Sequence, residues 1–142
     1  MFAPSSDDVR DFFVETRRKR VQGLPLTPLE TIAADWIEAH PEYDADLADA
    51  DAARAAVYPA EAGRENPFLH LSMHLSISEQ VAIDQPAGIR AAFDSLVARV
   101  GPHAAQHEVM ECLGTMLWEA QRSGRPPDGA GYVDCVRRRA TR

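Results

Sequence analysis

The chain has 142 residues, 22 acidic against 15 basic, a formal charge of −7 and 45% hydrophobic residues. A chain of this size buries about two-thirds of the surface its unfolded form exposes, so it can build a core without disulfides or a metal, and it reads as one domain over 1–142. The apolar share argues against global disorder, and no apolar run approaches the roughly 20 residues of a membrane-spanning helix, so no membrane partner is expected. The start, MFAPSSDDVR, lacks the basic opening and apolar stretch of a secretory signal. Cys112 and Cys135 form no close pair in sequence and read as separate thiols, buried or incidental, in a reducing cytoplasm.

In chain order the pattern is helical. Ser5 or Ser6 ahead of Asp7 and Asp8 caps a first helix that should end near Gly23, its last turns carrying Arg17 to Arg20 against the negative helix end. Thr27-Pro28-Leu29-Glu30 joins a capping-box spacing to a proline at the first helical position, and Pro41 stops that second helix near His40. From 41 to 66 the Ala- and Asp-rich chain suggests a peripheral helix around Asp44 to Val57 and a loop. An apolar helix over Phe68 to Val81 follows, then one from about Pro86 to Val100 before Gly101-Pro102, one from His103 to Arg122, and a short closing helix from about Asp128. No strand alternation or repeat of useful length occurs. The expected fold class is all-α, a single-domain bundle of five or six helices.

Turning each helix by about 100° per residue shows where the five histidines face. His70 and His74 fall near the centre of the apolar arc made with Met73, Ile77, Val81, Leu71 and Leu75. Their i, i+4 spacing sets both rings on one side, the arrangement with which two imidazoles grip one metal ion. His103, His107 and Glu111 form an i, i+4, i+8 row expected to border the core, where Gly114 would admit another backbone and Trp118 would wall the site. His40 shares the arc of Leu29, Ile32, Trp36 and Ile37 at the end of its helix.

A lone core histidine is more often satisfied by a carbonyl or hydroxyl. Several imidazoles facing one core are another matter, since one cation satisfies several ring nitrogens and a carboxylate together. The expected site lies between the 68–81 and 103–122 helices, with His70, His74 and His107 as ligands, Glu111 as ligand or base, and His103 and His40 as outer candidates. Imidazoles with one carboxylate suit zinc or iron, then manganese or nickel, and leave hydrolytic and redox chemistry both open. By spacing alone, His70-x-x-x-His74 with His107-x-x-x-Glu111 is similar to ligand pairs of hemerythrin-like bundles, although Glu-x-x-His pairs are missing from the inward faces. No catalytic residue is assigned, and partners reduce to an unidentified small molecule or protein, or a second copy in a homodimer. The alternative is an interaction or adaptor protein with structural core histidines.

Other constellations are weaker. No nucleophile elbow or phosphate-cradling glycine loop occurs around Ser72, Ser76 and Ser78. The basic runs Arg17 to Arg20 and Arg137 to Arg139 read as solvated helix ends, and the net charge of −7 disfavours nucleic acid. The stretches PLTPLE, HPEY, NPFLHLSMHLSISEQ, IDQPAGIR and HAAQHEVMECLGTMLWEAQRSGRPP resemble, nearly over the full length, a bacterial family of small proteins known as domain of unknown function 1841. That resemblance implies a bacterial, single-domain helical protein and transfers no activity or catalytic residue.

Overall fold

The computed structural model describes residues 6–59 and 65–141. Among them are seven α-helices: α1 (Ser6–Gln22), α2 (Pro28–Glu38), α3 (Ala50–Ala55), α4 (Pro67–Ile83), α5 (Ile89–Val100), α6 (Pro102–Ser123) and α7 (Gly129–Ala140). A 3-10 turn at Pro41–Tyr43 follows α2, and the described residues contain no strand. The all-α class therefore holds, with seven helices instead of five or six because both the peripheral and the closing segments fold. Among the described residues no helix is long and apolar enough to cross a membrane.

Two boundaries shift for local reasons. The peripheral helix shrinks to α3, which starts where the Asp49 carboxylate accepts the Ala52 N–H at 2.9 Å and buries only Ala53. A six-residue helix with one buried side chain has little packing to extend it. The expected loop around Gly63 falls at 60–64, outside the described residues. The next helix begins at Ile89 instead of Pro86, because Gly88 stands at φ +95° and the Asp84 carboxylate gathers the N–H groups of Gly88 and Arg90. That positive φ favours glycine; a Cβ there would lie 2.8 Å from the Arg137 guanidinium, which is the mobile end of an exposed side chain and can shift.

The chain divides into two compact units, Met1–Leu75 and Ser76–Arg142, with the division inside α4. In the first, α1 packs on α2 and α3, and the core is Phe13, Ala33, Ile37, Tyr43, Leu47, Ala53, Phe68 and Leu71. The expected capping box is present: Glu30 N–H donates to Thr27 Oγ1 at 3.1 Å, and Thr27 N–H donates to Glu30 Oε1 at 2.9 Å. Lys19 Nζ adds a bond to Glu30 Oε2 at 2.9 Å, tying α1 to the start of α2.

These bonds, the Thr27 N–H first and then Lys19, hold the Glu30 carboxyl below its ordinary value of 4.5. The unfolded chain therefore binds the proton more readily than the folded one. The contribution is complete above the unfolded pKa and is lost as pH falls through the lowered folded value. Glu30→Gln keeps an acceptor for Thr27 but has no charge to titrate, so its denaturation midpoint should fall less steeply than the parent's between about pH 5 and pH 3. Parallel acid profiles for the two proteins would refute the assignment.

In the second unit α5, α6 and α7 pack together over Ile89, Leu96, Ala105, Val109, Leu113, Tyr132, Val133 and Val136. Asp128 caps α7 by accepting the Gly131 N–H at 3.0 Å, and the buried Tyr132 hydroxyl donates to Gln80 Oε1 at 2.6 Å. Cys112 of α6 and Cys135 of α7 form a disulfide, which overturns the expectation of two separate thiols. The sequence separation of 23 hides what helix packing decides, since α6 and α7 run side by side.

Candidate metal centre

The centre begins where α2 ends. His40 precedes Pro41, which drives it out of helical geometry to φ −128°, ψ 64°. The last carbonyls of a helix lack intrahelical partners, and the His40 ring folds back to meet one, donating Nδ1–H to the Trp36 carbonyl at 2.8 Å. Because a carbonyl only accepts, this bond fixes the proton on Nδ1 and leaves the lone pair on Nε2. His40 is 3% exposed. Its placement beyond the last helical turn does not fray it.

The other two rings come from α4. Asn66 caps this helix, its Oδ1 accepting the N–H groups of Phe68 and Leu69 at 3.0 and 3.2 Å, and Pro67 occupies the first helical position. The cap sets the register that places His70 in the first turns and His74 one turn further on, above the buried Leu71. His74 is fully buried and its ring lies flat on the Trp36 indole, centroids 3.9 Å apart and planes 11° apart. The His70 side chain, 13% exposed, places Nδ1 2.7 Å from Glu65 Oε1, so in its neutral form this ring too would carry its proton on Nδ1 and its lone pair on Nε2.

The three imidazoles stand at the corners of a nearly equilateral triangle. Centroid separations are 4.9 Å for His40–His70, 4.8 Å for His40–His74 and 4.8 Å for His70–His74. One ring nitrogen from each lies within 4.8 Å of those of the other two. Three imidazoles bound tetrahedrally at about 2.0–2.1 Å would have centroids about 3.2 Å from the ion and therefore about 5 Å apart. The observed triangle has that size.

Around it stands a second layer that the sequence did not disclose. Tyr43 stacks on His40 with centroids 5.3 Å apart and planes 4° apart, and its hydroxyl donates to Glu65 Oε2 at 2.7 Å. Burial first, and then that bond to a carboxylate, raises the Tyr43 pKa well above its ordinary value of 10.0, so the hydroxyl remains a donor. Trp36, not Trp118, walls the cluster. Trp118 is 59% exposed, with the Arg122 guanidinium 4.8 Å from its ring. Glu65 was legible in principle, since it immediately precedes the Asn66-Pro67 helix start and so stands only five residues before His70.

The remaining candidates lie in the second unit, on α6. His103, His107 and Glu111 are all exposed there, so the row is not buried as expected, although His107 remains among the residues that could hold a metal ion. The buried arc of α6 centres on Ala105, Val109 and Cys112, and residues two positions away stand about 200° round the helix. His103 and His107 contact each other edge to face at 4.6 Å, and Glu111 is ion-paired with Arg139 of α7. A Cβ added to Gly114 would meet no neighbour within 4 Å, so no close backbone approach explains that glycine.

Fold and site together define an all-helical protein carrying a cluster of buried or largely buried imidazoles in its first compact unit. The chain belongs to the family described as Domain of unknown function (DUF1841), whose model matches residues 5–138. No curated protein matches it, and no solved structure does.

Proposed function

We propose that this chain is a transition-metal-binding protein whose first unit supplies His40, His70 and His74 as ligands. The observation that carries the reading is the ring triangle, drawn from two separate segments and sized for one ion. Imidazole ligands suit zinc, iron or nickel, and suit manganese less, whereas calcium and magnesium want oxygen ligands. Three neutral ligands leave the ion's full positive charge in place and leave coordination positions for a small exogenous ligand. A water held there would be strongly acidified, which suits hydrolysis, whereas iron in the same place would suit reaction with oxygen or peroxide. The exposed, Arg139-paired Glu111 is not in this ligand set.

Elemental analysis of untagged protein, purified without a nickel column, tests the proposal. The parent should hold close to one equivalent of zinc or iron, or take it up after stripping. His70→Ala, at the least buried of the three positions, should retain its helical circular dichroism and lose most of that metal. Protein that neither contains nor takes up zinc or iron would return the cluster to a structural role and favour the adaptor reading. The identity of the metal chooses between hydrolytic and redox chemistry.

A further inference from the structure

Two of the three rings already have their Nδ1 protons held, and the two acceptors differ in kind. His40 donates to the Trp36 backbone carbonyl within its own helix end. His70 donates to a side chain, Glu65, which lies outside α4 and receives a second bond from Tyr43. One carboxylate therefore joins the segment that carries His40, through the Tyr43 ring stacked on it, to the segment that carries His70. A metal-bound imidazole characteristically gives its other N–H to a carboxylate, carbonyl or water. Such a partner fixes the tautomer, orients the ring and raises its basicity as a ligand.

We infer that Glu65 is a positioning residue for the metal centre, holding His70 in the Nδ1–H tautomer with Nε2 aimed at the ion, and that Tyr43 in turn orients Glu65. This rests on the metal-binding reading of the same cluster. Glu65 is itself exposed, its side chain 59% accessible. A merely structural reading would therefore give it little effect, whereas a positioning reading makes it one of the more sensitive sites outside the ligands.

Two measurements on the full chain separate these readings. The first is the His70 tautomer in metal-stripped protein, from ring nitrogen chemical shifts at about pH 8, where free imidazole is neutral. The second is zinc affinity by chelator competition. The parent should show the Nδ1–H tautomer. Glu65→Ala should lose that preference and weaken zinc binding by about 10- to 100-fold. Glu65→Gln keeps a carbonyl oxygen for the Nδ1–H, so it should retain the tautomer and most of the affinity, and Tyr43→Phe should fall between the two. Zinc uptake by the parent with unchanged affinity in Glu65→Ala overturns this inference and leaves the metal proposal standing. A parent that binds no zinc or iron overturns both.

Discussion

Reducing the Cys112–Cys135 disulfide is expected to destabilise the second unit by about 3 kcal/mol, from the loop-closure entropy that a cross-link spanning 23 residues removes from the unfolded chain. For a protein of this size that corresponds to a fall of roughly 10 °C in melting temperature. The helices should remain paired in the reduced protein. Tyr132, Val133 and Val136 of α7 are buried, and Arg99 Nη1 still donates to the Arg139 carbonyl at 2.6 Å. Trp118 belongs to the second unit and Trp36 to the first, so single-tryptophan variants follow the two units separately. Urea titrations of oxidised and dithiothreitol-treated protein, each read through Trp118, make the measurement. Coincident curves would mean that the cross-link contributes nothing beyond the packing. A Cys112→Ala/Cys135→Ala variant should resemble the reduced protein, somewhat worsened by the cavity at Cys112, which is 2% exposed.

Zinc or iron at about a hundred times its dissociation constant is expected to stabilise the first unit by about 2.7 kcal/mol, because an ion bound only by the folded state adds to its stability by mass action. Trp36 is the natural reporter, since its indole lies on His74 and ligation of that ring should change its emission. The stabilisation should vanish with chelator and in His70→Ala. It should also decline on acidification, because protons compete with the metal for the imidazole nitrogens and three ligands amplify the dependence. A Trp36 unfolding curve indifferent to zinc, iron and chelator would sink the proposal, whatever the shape of the ring cluster.

Much of the helical layout was legible because it is written in local chemistry. Thr27-Pro28-Leu29-Glu30 reports a helix start through bonds made within four residues, and the structure makes both of them. Asn66-Pro67 and Asp128 act equally locally, and Gly101 and Gly124 end their helices at positive φ. The i, i+4 spacing of His70 and His74 likewise survives folding, since it depends only on the helix that carries them. The same projection did not foresee that His103, His107 and Glu111 are exposed. An arc of mixed apolar residues does not say which part of a helix its neighbours will cover, and α6 turned a different face inward.

His40 was undervalued for a related reason. Its sequence position lies at a helix end, but the bond to the Trp36 carbonyl and the following Pro41 hold the ring inward. Residue order and spacing set the all-helical class, the capped starts of the helices and the pairing of His70 with His74, because each is fixed within one or two turns of backbone. Tertiary structure alone decided that Cys112 meets Cys135, that Trp36 rather than Trp118 walls the cluster, and that Glu65 joins Tyr43 to His70. The disulfide, the Trp36–His74 stack and the Tyr43–Glu65 bond link segments whose separation in sequence carries no record of their distance, and only tertiary packing brings them together.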